Sequence, residues 1–250
     1  MKKPAKRKNR LKKVLRWIRN SLLSLFVLSL ALVLLYKYVP VRYTPRLFSM
    51  KIEQLFRKEK IPVRHRWTPL SGISQNLVRA VIASEDNLFL MHNGFDFNKS
   101  EINPGEISRS RYKWKTGTIS QQTAHAVFLF PGKSDLNKIP ETYFTFLIEF
   151  VWGKERIMEI YLNSIELGDG IFGAEAIAQN NFQISAAELT VPQAALITVS
   201  INNPKELDSA RPTVYMLRRQ AKIISLMEKM IPVEWGKCST GEQNDFSTQE

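Results

Sequence analysis

Ser74-Gln75-Asn76-Leu77-Val78-Arg79-Ala80-Val81-Ile82-Ala83-Ser84-Glu85-Asp86, running on into Asn87-Leu88-Phe89-Leu90-Met91-His92-Asn93-Gly94-Phe95-Asp96, decides the fold class of this chain. Leu77, Val78, Val81 and Ile82 recur at helical spacing. Ser74 ahead of them is a good N-cap. The stripe continues to Glu85, which puts a carboxylate at the edge of a buried face. A helix C-terminus carries partial negative charge and normally attracts cations. Desolvation and the dipole both disfavour the anion, so Glu85 is expected to hold its proton more tightly than a solvated carboxylate does. Such a group suits general acid or base work near neutral pH. A solvated acidic turn after a helix is the plainer reading, and these residues alone leave it open.

Helical periodicity extends outward from this stretch. A helix is expected over 119–128, with Thr118 as its cap. Pro140 suits the first position of the next helix. Its 141–152 run, ETYFTFLIEFVW, is apolar nearly all round and ends at Gly153, which predicts a buried core helix. Further helices are expected over 155–162, 173–182, 191–199 and 214–230. Alternating β patterns are scarce, so the expected class is all-α. The compact domain should span 67–231, with a variable loop at 98–115. Prolines 40, 45, 62 and 69 punctuate 40–73, and 41–66 within it reads as a stalk and entry segment. The polar stretch 232–250 reads as a disordered tail. It carries the single cysteine, Cys238, so no internal disulfide is available.

The net charge of +13 says little about that domain. Residues 1–20 hold ten Lys or Arg and no acid; removing them leaves 26 basic residues against 23 acidic ones. Residues 21–36 (SLLSLFVLSLALVLLY) carry no charge, and with Trp17, Ile18 and Tyr38 the segment reaches the length of a membrane span. Residues 21–40 therefore read as a transmembrane helix behind a basic cytoplasmic tail, by the positive-inside rule. Lys37-Tyr38-Val39-Pro40 is a poor signal-peptidase site, which favours an uncleaved anchor. A membrane flank also accounts for the basic arm without nucleic acid.

Other segments carry chemistry less securely. Gly168-Asp169-Gly170-Ile171-Phe172-Gly173 matches a dinucleotide pattern, but no buried strand precedes it, so the glycines are expected to serve a tight connection. Gly117-Thr118-Ile119-Ser120-Gln121-Gln122 is rich in hydrogen-bonding groups at a helix start, fit for a sugar or phosphate or for simple capping. Glu141 lies in the first turn of its helix, three residues after Lys138. Two carboxylates on separate helices are the minimum equipment for glycosidic-bond chemistry. His65, His92 and His125 are too dispersed for a zinc site.

Taken in order, these segments resemble glycosyltransferase family 51. Residues 85–96 (EDNLFLMHNGFD) resemble its first motif, E-D-x-x-F-x-x-H-x-G-F-D, and GTISQQ resembles its second. Lys138-x-x-Glu141, with Lys154-x-x-Ile157-x-x-x-Tyr161-Leu162-Asn163, resembles the third. Gly168-x-Gly170-x-x-Gly173-x-Glu175-Ala176-x-Ala178-Gln179 resembles the fourth, and Ala194-Ala195-Leu196 with Asn203-Pro204 the fifth. The match covers 67–230. With a span in front and no penicillin-binding domain behind, the chain looks like a monofunctional biosynthetic peptidoglycan transglycosylase.

The resemblance implies a lysozyme-like α-helical domain that polymerises lipid II outside the bacterial cytoplasmic (inner) membrane. Glu85 would be the general base and Glu141 the second carboxylate, near the departing diphosphate. Phe89, Gln121, Gln122 and Asn163 would shape the cleft, and Asp86, His92, Thr118, His125 and Lys138 would complete the substrate-binding set. The implied partners are lipid II, the growing glycan chain, the membrane and other cell-wall synthases. No cofactor is fixed by the residues; a divalent cation, Mg or Mn, at the diphosphate is the one the chemistry admits.

Several positions depart from the family pattern. His125 and Ala126 stand where Lys and Asn are usual, Asn137 and Ile102 replace basic residues, Lys115-Thr116 replaces Gly-Gly, and Gln193 replaces an acid. Charge-assisted contacts to phosphate are strong, so these losses weaken donor binding unless Arg109, Arg111, Lys113 or Lys115 compensates. A glycan-binding scaffold and a lysozyme-like cleaving enzyme are the alternative readings.

Overall fold

A computed structural model describes residues 4–56, 62–96, 117–132, 137–233 and 235. The chain divides into two units at Val39/Pro40. The first is a single helix, α1 (Pro4–Tyr38), so the basic tail is helical from Pro4 onward. Within it, Lys12–Tyr38 has a mean hydropathy of 2.1 over its most apolar window. Those 27 residues rise about 40 Å, more than the ~30 Å of hydrocarbon a span must cross. Leu22, Leu23, Leu25, Phe26, Val27 and Leu28 all stand exposed along it. Such a helix is compatible with a single-pass membrane anchor.

The second unit holds eight α-helices and a small sheet among the described residues: α2 (Pro45–Phe56), β1 (Arg64–His65), α3 (Gln75–Glu85), α4 (Ile119–Phe128), α5 (Lys138–Val151), α6 (Lys154–Ser164), β2 (Glu166–Gly168), β3 (Ile171–Phe172), α7 (Ala174–Phe182), α8 (Val191–Ser200) and α9 (Val214–Glu228). The class is mainly α, as the periodicity predicts. The loop 98–115 and the residues after 235 lie outside the described residues. The segment 41–66 is more than a stalk: Leu47 and Met50 of α2 pack on Phe172 of β3, with Val63 against them. The sheet order is β1-β3-β2. β1 runs parallel to β3, pairing Arg64 with Ile171 and His65 with Phe172, whereas β2 is antiparallel to β3. The Gly168–Gly173 stretch is thus a β-hairpin, and its glycines serve the turn.

α3 forms as its sequence dictates. Ser74 accepts the Asn76 N–H at the N-cap, and its hydroxyl donates to the Leu189 carbonyl at 2.9 Å. Leu77, Val78, Val81 and Ile82 are all buried, and α3 packs against α8 and α9. The helix enclosed by protein is α8, where every residue from Ala194 to Ser200 is buried. α5 corrects the expectation made for 141–152. It begins at Lys138, so Pro140 is its third residue, and only Thr145, Leu147 and Ile148 are buried. Ile139, Phe146 and Phe150 are 82%, 63% and 83% exposed. Their spacing puts them on one face. α5 therefore has an apolar inner face and an apolar outer face, and uniform hydrophobicity alone does not separate that case from full burial.

Asn163 fastens the segment before α3 to α6. Its Oδ1 accepts the Thr68 N–H at 2.9 Å, and its Nδ2 donates to the Thr68 and Glu159 carbonyls at 2.8 Å each. Its own carbonyl accepts from His65 Nε2 at 3.0 Å. Gly173 sits against the same residue: its φ is 88°, and a Cβ there would lie 3.1 Å from the Asn163 carbonyl oxygen. Asn163 is fully buried, so it does not line a cleft; it acts as a clamp.

Two outcomes follow from this clamp. Asn163→Ala leaves half-buried Thr68 backbone groups without their Asn163 partner, which should cost about 2 kcal/mol, or roughly 4–8 °C in Tm. The folded fraction should keep its KM for substrate, and a KM change at constant Tm would contradict the clamp. His65 is held below its usual pKa, chiefly by burial, with the Asn163 carbonyl opposing and Lys51 adding to the shift. The unfolded chain therefore binds more protons below about pH 6.5, and stability must rise with pH through that window. Acidification from pH 7 to 5 should lower Tm in the wild type more than in His65→Gln, as read by thermal melts across pH.

Candidate active site

The site is assembled around the end of α3. Asp86, its C-cap, is 1% exposed. Asp86 Oδ2 accepts the Ile119 N–H at 2.9 Å, which ties the end of α3 to the start of α4. His92 Nε2 lies 2.9 and 3.0 Å from the two Asp86 oxygens, and His92 Nδ1 accepts the Gly94 N–H at 3.1 Å. A ring nitrogen that accepts carries no proton, so Nε2–H is the donor to Asp86. Gly94 has a φ of 87°, and a Cβ there would meet Glu149 Cγ at 2.9 Å, so the turn requires glycine. The Gly94 carbonyl in turn accepts from Thr118 Oγ1 at 2.6 Å.

α4 starts with a reciprocal cap. Thr118 Oγ1 accepts the Gln121 N–H at 3.1 Å, and Gln121 Oε1 accepts the Thr118 N–H at 2.9 Å. Gln121 Oε1 is thereby engaged with the backbone. Gln122 is placed differently. Its Nε2 donates to Glu85 Oε2 at 3.2 Å, and its Oε1 accepts from the Tyr161 hydroxyl at 3.3 Å. Tyr161 is held well above its usual pKa, first by burial and then by the charges of Glu85 and Asp86. It stays a protonated donor, so the Gln122 amide can present only its N–H2 end to Glu85. Glu85 itself is 5% exposed, more deeply buried than its edge position predicts.

One turn further along α4, His125 Nδ1 lies 2.9 Å from Glu141 Oε2, at side-chain exposures of 34% and 28%. Residues three apart on a helix are neighbours, with Cβ atoms about 5–6 Å apart. Gln122 and His125 are such a pair, so Glu85 and Glu141 are both tied to one face of α4. Lys138 is exposed at the first residue of α5, one turn before Glu141. Phe89 is fully buried beneath the loop, edge-on to His92, so it supports the cleft rather than lining it.

Four residues join this assembly that the sequence reading left out of the site: Tyr161, Ser120, Glu149 and Lys154. Ser120 Oγ donates to Glu149 Oε1, Lys154 Nζ lies 2.6 Å from the same oxygen, and the ammonium stands 4.6 Å from the Phe89 ring centroid. An acid alone among the apolar residues 142–151 was the available signal for Glu149, since a buried carboxylate demands partners. Among the described residues, no three His, Cys, Asp or Glu side chains converge. The described part of the chain offers no closed metal cage.

Comparisons with known proteins give the family of the chain. Residues 48–228 match the family model described as Transglycosylase. A biosynthetic peptidoglycan transglycosylase of Bacteroides thetaiotaomicron is 46% identical over 227 residues, covering 90% of this chain and 92% of the relative. The protein of the same name in Bdellovibrio bacteriovorus is 41% identical over 217 residues, 87% of each chain. That of Caulobacter vibrioides is 43% identical over 215 residues, 84% of this chain and 91% of the relative. A family match over most of the domain, with relatives this similar along nearly their whole length, means that the chain belongs to the transglycosylase family.

Proposed function

We propose that this protein is a peptidoglycan glycosyltransferase that polymerises lipid II. The observation that carries the reading is the placement of Glu85 and Glu141 against residues 122 and 125 of one helix face. Sugar transfer needs two groups set apart, one for the attacking hydroxyl and one at the departing group. Glu85 takes the proton from the acceptor's GlcNAc 4-hydroxyl. The oxygen forms a bond to the anomeric carbon of the growing chain, the bond from that carbon to phosphate breaks, and configuration inverts. The leaving undecaprenyl diphosphate keeps the electron pair. Glu141, His125 and Lys138 stand on the side of the diphosphate. Gln122 orients Glu85, and the Asp86–His92 pair keeps the supporting loop in place.

A lipid-linked substrate also gives a use to the outer face of α5, whose exposed Ile139, Phe146 and Phe150 begin at the same turn as Glu141. Exposed apolar patches of this kind mark contact with partners or lipid. The relatives' shared name, biosynthetic peptidoglycan transglycosylase, supports synthesis over cleavage. The protein is anchored by α1 in the cytoplasmic membrane, with its N-terminus inside and the domain outside. Other cell-wall synthases are its expected partners.

Purified full-length protein with lipid II should yield glycan polymer. Glu85→Gln should lower the rate by about 10²–10⁴-fold at unchanged Tm, and Glu141→Gln should also lose most activity; a fully active Glu85→Gln would overturn the assignment of the base. Fragments released from finished sacculi by the wild type would point to cleavage instead. Phe146→Ser combined with Phe150→Ser removes only exposed surface, so Tm should hold. The rate on lipid II in vesicles should fall roughly tenfold or more.

A further inference from the structure

A groove between α2 and β1 takes no part in the chemistry above. It encloses about 550 Å³ and is lined by Arg42, Lys51 and Arg66 together with Tyr43, Phe48 and Trp67. Among the described residues, no carboxylate lines it. Tyr43 and Phe48 are 75% and 58% exposed, although both are large and apolar enough to be buried. Lys51 Nζ stands 5.8 Å from the Tyr43 ring centroid. Arg66 has Glu175 at 3.7 Å, a contact screened by the 69% exposure of the arginine. His65, in the groove wall, donates through Nε2 to the Asn163 carbonyl and adds no charge near neutral pH. The groove therefore presents three permanent cations beside exposed rings. Cations bind a phosphate, and rings of this type sit where hydrocarbon gives way to headgroups.

The chain itself limits where this groove can be. Arg42 follows Tyr38, the last residue of α1, by four positions. Four residues span at most about 14 Å. With α1 in a bilayer, Arg42 cannot lie farther than that from the end of the membrane helix. A free phosphate would account for the cations but not for the aromatic rings or the short tether. We infer that this groove holds the phosphate headgroup of an anionic phospholipid, with Tyr43, Phe48 and Trp67 against the start of its acyl chains. The inference rests on α1 being a membrane anchor and is independent of the sugar chemistry.

The test uses full-length protein in phosphatidylcholine nanodiscs doped with a photoreactive phosphatidylglycerol, with labelled peptides mapped by mass spectrometry. Label should fall on residues 42–51 and 63–67. Combining Arg42→Gln with Lys51→Gln, both at exposed side chains, should reduce that label roughly tenfold or more, while labelling of the basic residues of α1 persists. Unlabelled phosphatidylglycerol should compete, and inorganic phosphate at equal concentration should not. Label confined to α1, label indifferent to the double substitution, or equal competition by inorganic phosphate would each overturn the assignment. Polymerisation of lipid II measured on the same discs separates the two readings. Correct labelling without polymer would count against the glycosyltransferase alone, and polymer without groove labelling against the lipid site alone.

Discussion

The buried carboxylate of Asp86 holds this site together. Taking an ionised carboxylate out of water costs several kcal/mol unless donors replace the lost hydration. Asp86 finds those donors in Ile119 N–H and His92 Nε2–H. One of them is the first turn of α4, where the helix dipole favours an anion. Satisfying Asp86 therefore fixes the start of α4 against the end of α3. Once α4 is fixed there, Gln122 falls beside Glu85, and His125, a turn later, beside Glu141. The loop between closes on the same carboxylate, because the His92 ring that donates to Asp86 also accepts from Gly94, and Gly94 accepts from Thr118.

Glu85 and Asp86 are adjacent, both buried, and set to different ends by their neighbours. Asp86 is spent on structure. Glu85 receives the Gln122 amide, and that amide is oriented from behind by Tyr161. Burial and the two nearby carboxylates keep the Tyr161 proton in place, so the relay runs one way: hydroxyl to amide oxygen, amide N–H to carboxylate. In the proposed reaction Glu85 gains and loses a proton, and a support that does not itself titrate in the working range holds it through both states.

Much of this was legible in the sequence because it is local. The α3 stripe, its Ser74 cap, the Thr118 cap and the helical class follow from spacing and cap chemistry within one element. What was not legible is tertiary. Nothing in the order of residues says that Asn163 reaches back to Thr68, or that Phe89 lies beneath the loop, so both read as cleft residues. The partial exposure of α5, expected to be buried, has a related reason, as the contrast with α8 shows. Small residues such as Ala194, Ala195 and Ser200 allow close packing on every side of α8, whereas the bulky Phe146 and Phe150 of α5 point away from the core. Hydrophobicity measures what a surface prefers to touch, not whether protein or lipid is there to touch it.

The His125–Glu141 pair changes what the missing lysine means. A lysine at 125 would be a permanent cation facing the cleft. The histidine is committed at Nδ1, 2.9 Å from Glu141 Oε2, so only Nε2 remains for a ligand. When the ring is neutral and donates through Nδ1, Nε2 is a lone pair that repels a phosphate oxygen. When the ring is protonated, Nε2–H becomes a charge-assisted donor. His125 and Glu141 therefore meet a ligand as one hydrogen-bonded unit rather than as two separate groups.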